Sequence, residues 1–191
     1  AGTGILVSAS LGAGDFQALN GTLAGNYALP STAVGNIGII TPRLLTVTLT
    51  GSTSRTYDGT SSADLATANF GFSGLVGTDG ISIQAATGSF ATPNAGTGIL
   101  VTADLASAIL VPSGGALLSN YQLPLSASGS IGTITPKALT LGLTGTVEKI
   151  YDGSVSARLE AANYQVTGLV GAETLTINQT VGVYANANVG T

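Results

Sequence analysis

From residue 45 to residue 50 the hydrophobic and polar positions alternate strictly, with Leu45, Val47 and Leu49 on one side and Thr46, Thr48 and Thr50 on the other. A period of two predicts a β-strand with one buried face. The same reading applies at Leu139, Leu141 and Leu143, and at Ile81 and Ile83 with their later counterparts Leu175 and Ile177. Thr41–Pro42 and Thr135–Pro136 stand just before the alternating strands, where proline's missing N–H removes no ladder bond. Gly4–Val7 reads as a short apolar strand and Asn36–Ile40 as another. The segments Ser62–Asn69 and Ser156–Asn163 fit a short helical turn or a strand, with strand preferred, and Ala103–Ala108 has room for one helical turn. Strand signals recur about every ten residues between Gly and Pro punctuation, the pattern of an all-β chain.

These elements repeat. Residues 1–97 laid over 95–191 need no gap and are identical at 45 of 97 positions, a period of 94 residues. Ala1–Val7 recurs letter for letter at Ala95–Val101, Asn26–Tyr27 recurs at Asn120–Tyr121, and Tyr57–Asp58–Gly59 recurs at Tyr151–Asp152–Gly153. The Gly/Ala-rich stretch from Ser8 to Gly25 is the part least like its counterpart. A period of this length is several times that of a β-helix coil or a leucine-rich repeat, so small β domains in series are expected rather than a continuous solenoid.

Composition narrows the chemistry. Only 7% of the 191 residues are charged, against roughly a quarter in an ordinary soluble domain. The net charge of −4 leaves no basic footprint for nucleic acid or anionic lipid. Mean hydropathy is +0.46, yet no run of about 18 apolar residues exists, so no membrane-spanning helix is expected. There is no cysteine and no histidine, which removes disulfides and the catalytic triads and zinc sites that depend on those residues. The absence of cysteine suits a cytosolic chain and equally one exported unfolded. No signal peptide is present, and the sequence begins inside a repeat, so the true N-terminus is expected elsewhere.

Ten residues invite a functional reading: Tyr57, Asp58, Gly59, Tyr151, Asp152, Gly153, Asn26, Tyr27, Asn120 and Tyr121. Turn chemistry accounts for them more simply. Asp-Gly supplies a tight turn with positive φ, aspartate caps it, and tyrosine packs as a lid on the core. In the Asn-Tyr pairs, asparagine would bond loop backbone while the ring anchors the loop to the sheet. A calcium site built from Asp58 and backbone carbonyls is the alternative, although no Asp-rich loop has calcium-binding spacing. No carboxylate pair has a hydrolase-like setting, no glycine loop opens a helix for phosphate, and the ten aromatics form no stripe for stacking sugars or bases. Asn20–Gly21–Thr22 and Asn178–Gln179–Thr180 match a glycosylation pattern too common by chance to carry weight. No enzyme activity, cofactor or metal is expected.

At these residues the chain resembles the YDG/MBG repeats of large bacterial secreted adhesins. The matching segments are Thr135–Thr140, Tyr151–Ser154, Gly168–Glu173, Asn188–Thr191 and Asn120–Tyr121, in the family's order and repeated along the whole chain. Ser154 replaces the usual threonine, and Gly77–Thr78–Asp79 carries one residue more than the usual Gly-Asp. The resemblance implies a mainly β fold of small β-grasp-like or β-sandwich-like domains in tandem. Its frame places the end of one repeat at 1–40, a full repeat at 41–134 and the start of the next at 135–191. A permuted frame of 1–94 and 95–188 remains open.

It also implies export by two-partner secretion, in proteins related to filamentous haemagglutinin, to an extracellular, cell-surface location. The implied function is a stalk or filament segment for adhesion or biofilm. Neighbouring repeats are the expected partners, with a matrix module binding exopolysaccharide or itself as the alternative. The first 40 and last 57 residues together make one period, so identical chains completing one another head to tail, as a fibre, are a further expectation.

Overall fold

The computed structural model describes residues 1–190, so the last residue of the Asn188–Thr191 motif lies outside the described residues. The fold is mainly β, with single 3-10 turns and no α-helix among the described residues. Strands β1 (Gly2–Ser10) and β2 (Thr32–Ile40) form an antiparallel hairpin in which Gly2 faces Ile40 and Ser10 faces Thr32. There follow β3 (Arg43–Leu44), β4 (Thr46–Leu49), β5 (Thr53–Thr56), β6 (Ser62–Ala63), β7 (Phe70–Ser73), β8 (Gly80–Phe90), β9 (Gly96–Ser113), β10 (Tyr121–Gln122) and β11 (Ser126–Thr135). The later repeat supplies β12 (Thr140–Leu143), β13 (Ser156–Arg158), β14 (Tyr164–Thr167) and β15 (Val181–Val183). One sheet has five strands in the order β5-β11-β9-β8-β6, and the others have two each.

Two compact units divide the chain. The first comprises Ala1–Thr50, Leu65–Thr87 and Ala103–Ser128. Its core gathers Leu45, Ile81, Ala116 and Tyr121, with Phe72, Leu75, Leu110 and Leu123 packed around them. The alternation that predicted a strand is realised at β4, whose Val47 and Leu49 are buried while the threonines face out. β4 pairs antiparallel with β7, and β3 pairs parallel with β10. The Leu45 N–H extends the β3–β10 ladder by donating to Gln122 O at 2.8 Å.

The second unit comprises Gly51–Asp64, Gly88–Thr102 and Gly129–Thr191. Here Thr53–Thr56 of β5 runs parallel to Gly132–Thr135 of β11, and β6 pairs antiparallel with the end of β8. β12 pairs with β14 and β13 with β15, both antiparallel. Phe90 lies so close over Gly132 that a Cβ there would fall 2.6 Å from its ring, which only glycine accommodates. Phe90, Ile99, Val101 and Ile134 are all buried.

Three local readings resolve differently from the sequence pattern, and one of them is Leu175 and Ile177, read as a half-buried strand but lying in no strand, with Leu175 55% exposed. Ser62–Asn69 splits into the short β6 and a 3-10 turn at Thr67–Asn69, and its counterpart splits into β13 and a turn at Ala161–Asn163. The asparagine decides this. Asn69 Oδ1 accepts the Ala66 N–H at 2.9 Å and its Nδ2 donates to Thr50 O at 3.0 Å, fixing the turn as the strand ends. Ala103–Ala108 is strand inside β9, not a helical turn. The period-two burial of Ile99, Val101, Ala103 and Leu105 runs straight through it.

Candidate functional site

The Tyr-Asp-Gly segments form the same turn twice. In the first, Asp58 Oδ1 accepts the Thr60 N–H and the Thr60 hydroxyl, both at 2.9 Å, and Gly59 adopts φ 79°. Arg55 pairs with Asp58 and reaches on to Ser62 O at 2.6 Å. In the second, Asp152 Oδ1 accepts the Ser154 N–H at 2.8 Å and Gly153 adopts φ 74°. Lys149 takes the place of the arginine. It donates to Asp152 Oδ1 at 2.8 Å and to Ser154 O at 2.6 Å, with its Nζ 5.6 Å from the Tyr184 ring centroid. The lysine hydrogen bond, followed by those from Ser154, lowers the Asp152 pKa to about 2. Each turn is thus an aspartate closing a loop on its own backbone, with a cation across it.

The decisive observation is that this turn, with its flanking strands, matches a family model over 41–129 and again over 135–191, that of the YDG domain. The chain belongs to the YDG domain family. A search of curated proteins and a search of solved structures each returned no match.

The tyrosines of the YDG repeats have different surroundings. Tyr121 is buried in the first unit, its hydroxyl donating to Asp79 Oδ2 at 2.5 Å and accepting the Val76 N–H at 3.2 Å. The half-buried Tyr57 of the second unit donates to Glu173 Oε1, and its backbone N–H donates to Thr135 O at 2.8 Å. In both, hydrogen bonding to a carboxylate is the main cause that raises the phenol's pKa above its ordinary value. A tyrosine held protonated in this way is a donor that positions structure, not a nucleophile. Tyr27 and Tyr151 are 65% and 63% exposed and lie on no core. Asn26 and Asn120 close 3-10 turns through their backbone N–H groups, to Leu23 O at 3.0 Å and Leu117 O at 2.9 Å.

A cavity of about 370 Å³ in the second unit is lined by Tyr57, Lys137, Leu139, Leu169, Val170 and Glu173. Among the described residues no group of three or more acidic side chains is placed to hold a metal ion, around Asp58 or elsewhere. Sequence reading missed the partners of the tyrosines, Asp79 and Glu173. It also assigned no role to Asn69 and Asn163, which make matching bonds, Asn163 Nδ2 reaching Thr144 O at 3.1 Å. Their recurrence 94 residues apart as acid and as asparagine was the available signal.

Proposed function

We propose that this YDG chain is a structural segment of a bacterial surface adhesin, extracellular and without enzymatic activity, whose repeats stack in series to project a binding region from the cell. The units run 1–40, 41–134 and 135–191 in this reading, and neighbouring repeats are the principal partners. The supporting observation is the reuse of one turn 94 residues apart, in both cases an aspartate accepting the N–H two residues on and paired with a cation three residues before it. Side chains committed to their own backbone serve geometry, and serial repetition of one geometry makes a spacer. The absence of cysteine suits passage of an unfolded chain through an outer membrane.

The matrix-module alternative needs the same sugar-binding groove in every repeat. The cavity beside Tyr151, Tyr184, Asn186 and Asn188 recurs in altered form: the one lined by Thr53, Arg55 and Phe90 has Phe90, 3% exposed, where Tyr184 stands. Antibody raised against the chain should label intact cells of the source organism without permeabilisation. Labelling only after the envelope is opened would sink the surface reading. Micromolar binding of the purified chain to an exopolysaccharide would favour the matrix module.

A further inference from the structure

Turn chemistry accounts for the aspartate and the glycine of each YDG turn but leaves the tyrosine without a task. Asp152 and Lys149 close the later turn while Tyr151 stands 63% exposed, so the ring is no part of the closure. Tyr57 has another use. Its backbone N–H donates to Thr135 O at 2.8 Å, which carries the parallel pairing of β5 with β11 to the point where the chain enters Pro136. Its hydroxyl donates to Glu173 Oε1. Tyr57 belongs to the first stretch matched by the family model and Glu173 to the second, and both lie in the second unit.

The receiving surface is the turn that follows β14. It is closed on itself, the Glu173 N–H donating to Val170 O at 3.1 Å and the Val170 N–H to Glu173 Oε2 at 3.4 Å. Glu173 Oε1 is left for the tyrosine. Gly59 of the YDG turn comes so near that a Cβ there would lie 3.1 Å from Val170 Cγ1, and its φ of 79° already favours glycine. One turn therefore presents a phenol and a bare backbone, and the other a carboxylate and a valine. The connector between the two matched stretches adds little restraint of its own, because Pro136–Leu139 lie in no strand.

We propose that the YDG tyrosine is a latch between consecutive repeats: Tyr57 and Gly59 hold the Gly168–Glu173 turn of the next repeat and so restrain the direction in which it leaves Thr135. The partner of the YDG turn is the acidic turn of the repeat that follows. Without the latch, Pro136–Leu139 is a hinge on which one repeat swings against the other, the default for units joined by a small contact. Hydrogen bonding to Glu173 raises the phenol's pKa, so the donor persists above neutral pH. The inference rests on the reading of repeats in series and is indifferent to where they are displayed.

Trypsin reads the junction directly, because only five residues of the chain are Lys or Arg and one of them, Lys137, lies in the connector. Tyr57→Phe removes the hydroxyl alone and should speed cleavage after Lys137 about tenfold, the factor by which a hydrogen bond to a charged group holds down the opened population. Glu173→Ala should do the same, and Glu173→Gln should be intermediate, its amide oxygen still accepting. Tyr57→Phe combined with Glu173→Ala should go no further than either alone. Cleavage after Arg43, in the first unit, should keep its rate. No change after Lys137, additive effects, or an equal rise after Arg43 would each overturn the latch. The second measurement places spin labels at Thr97→Cys and Gln165→Cys, both exposed positions in a chain without cysteine. One narrow distance distribution is expected in the otherwise native chain and a broad one with Tyr57→Phe, and equal widths would also overturn the proposal. Loss of the latch leaves the cell-surface labelling unaffected, and failure of that labelling leaves the latch intact, so the two readings fall separately.

Discussion

At the scale of single residues, a short motif is asked to do one thing, and its surroundings decide whether it does more. Asp58 and Asp152 bond the backbone two residues on because Asp-Gly places that N–H within reach. Lys149 lowers the Asp152 pKa to about 2, and the sign of the consequence follows. A carboxyl depressed in the folded state contributes stability that is fully present above its unfolded value, near 4, and is lost as pH falls towards 2. The Asp152 carboxyl, followed by NMR from pH 6 to 1.5, should titrate near 2 in the native chain and move upward in Lys149→Met. An unchanged midpoint would remove the lysine from the account. Tyrosine shows the other side of residue logic. Tyr121 and Tyr27 each follow an asparagine and stand two residues before a Leu-Pro, yet one is 8% exposed and the other 65%, because only Tyr121 has Asp79 and Val76 within reach of its hydroxyl.

Among the strands, local pattern and tertiary supply part company. Leu45, Val47 and Leu49 read the same as Leu139, Leu141 and Leu143, and both sets lead to an antiparallel pair, β4 with β7 and β12 with β14. The first set is 2–6% exposed and the second 43–65%. Alternation therefore foretold strands, but only a second layer can bury their faces. Leu45→Ala should cost about 3 kcal/mol, a buried leucine losing its packing and leaving a cavity. Leu139→Ala should cost under about 1 kcal/mol, since much of its surface stays in water. Urea denaturation of the two variants measures both, and equal losses would mean that Leu139 has a covered face in solution. The long β9 teaches a related lesson. Its buried residues keep a period of two, which outweighs the Ala-rich composition that left room for a helical turn.

For the whole molecule, stability should be unevenly distributed. The central strands β8, β9 and β11 of the five-stranded sheet carry Ile83, Val101 and Ile134, all 0–2% exposed, whereas β13 and β15 form a two-stranded sheet with Val181 and Val183 exposed. Amides in an interior ladder exchange only through large openings, and those of a bare pair through small ones. Hydrogen exchange should be at least about 100-fold slower in β8, β9 and β11 than in β13 and β15. Uniform protection across the repeats at high protein concentration, lost on dilution, would point to completion of the exposed faces by another chain.

Much of this was legible in the sequence, because it is local. The 94-residue period, the β class, the Asp-Gly turns and the proline entries follow from neighbours within a few residues, whose sterics and hydrogen bonds act wherever the segment is placed. The tertiary structure alone decided which of two matching leucines is buried, which tyrosine finds Asp79 or Glu173, and that β3 and β10 run parallel. Burial and long-range pairing depend on what the rest of the chain brings alongside, and two segments of near-identical sequence need not be given the same neighbours.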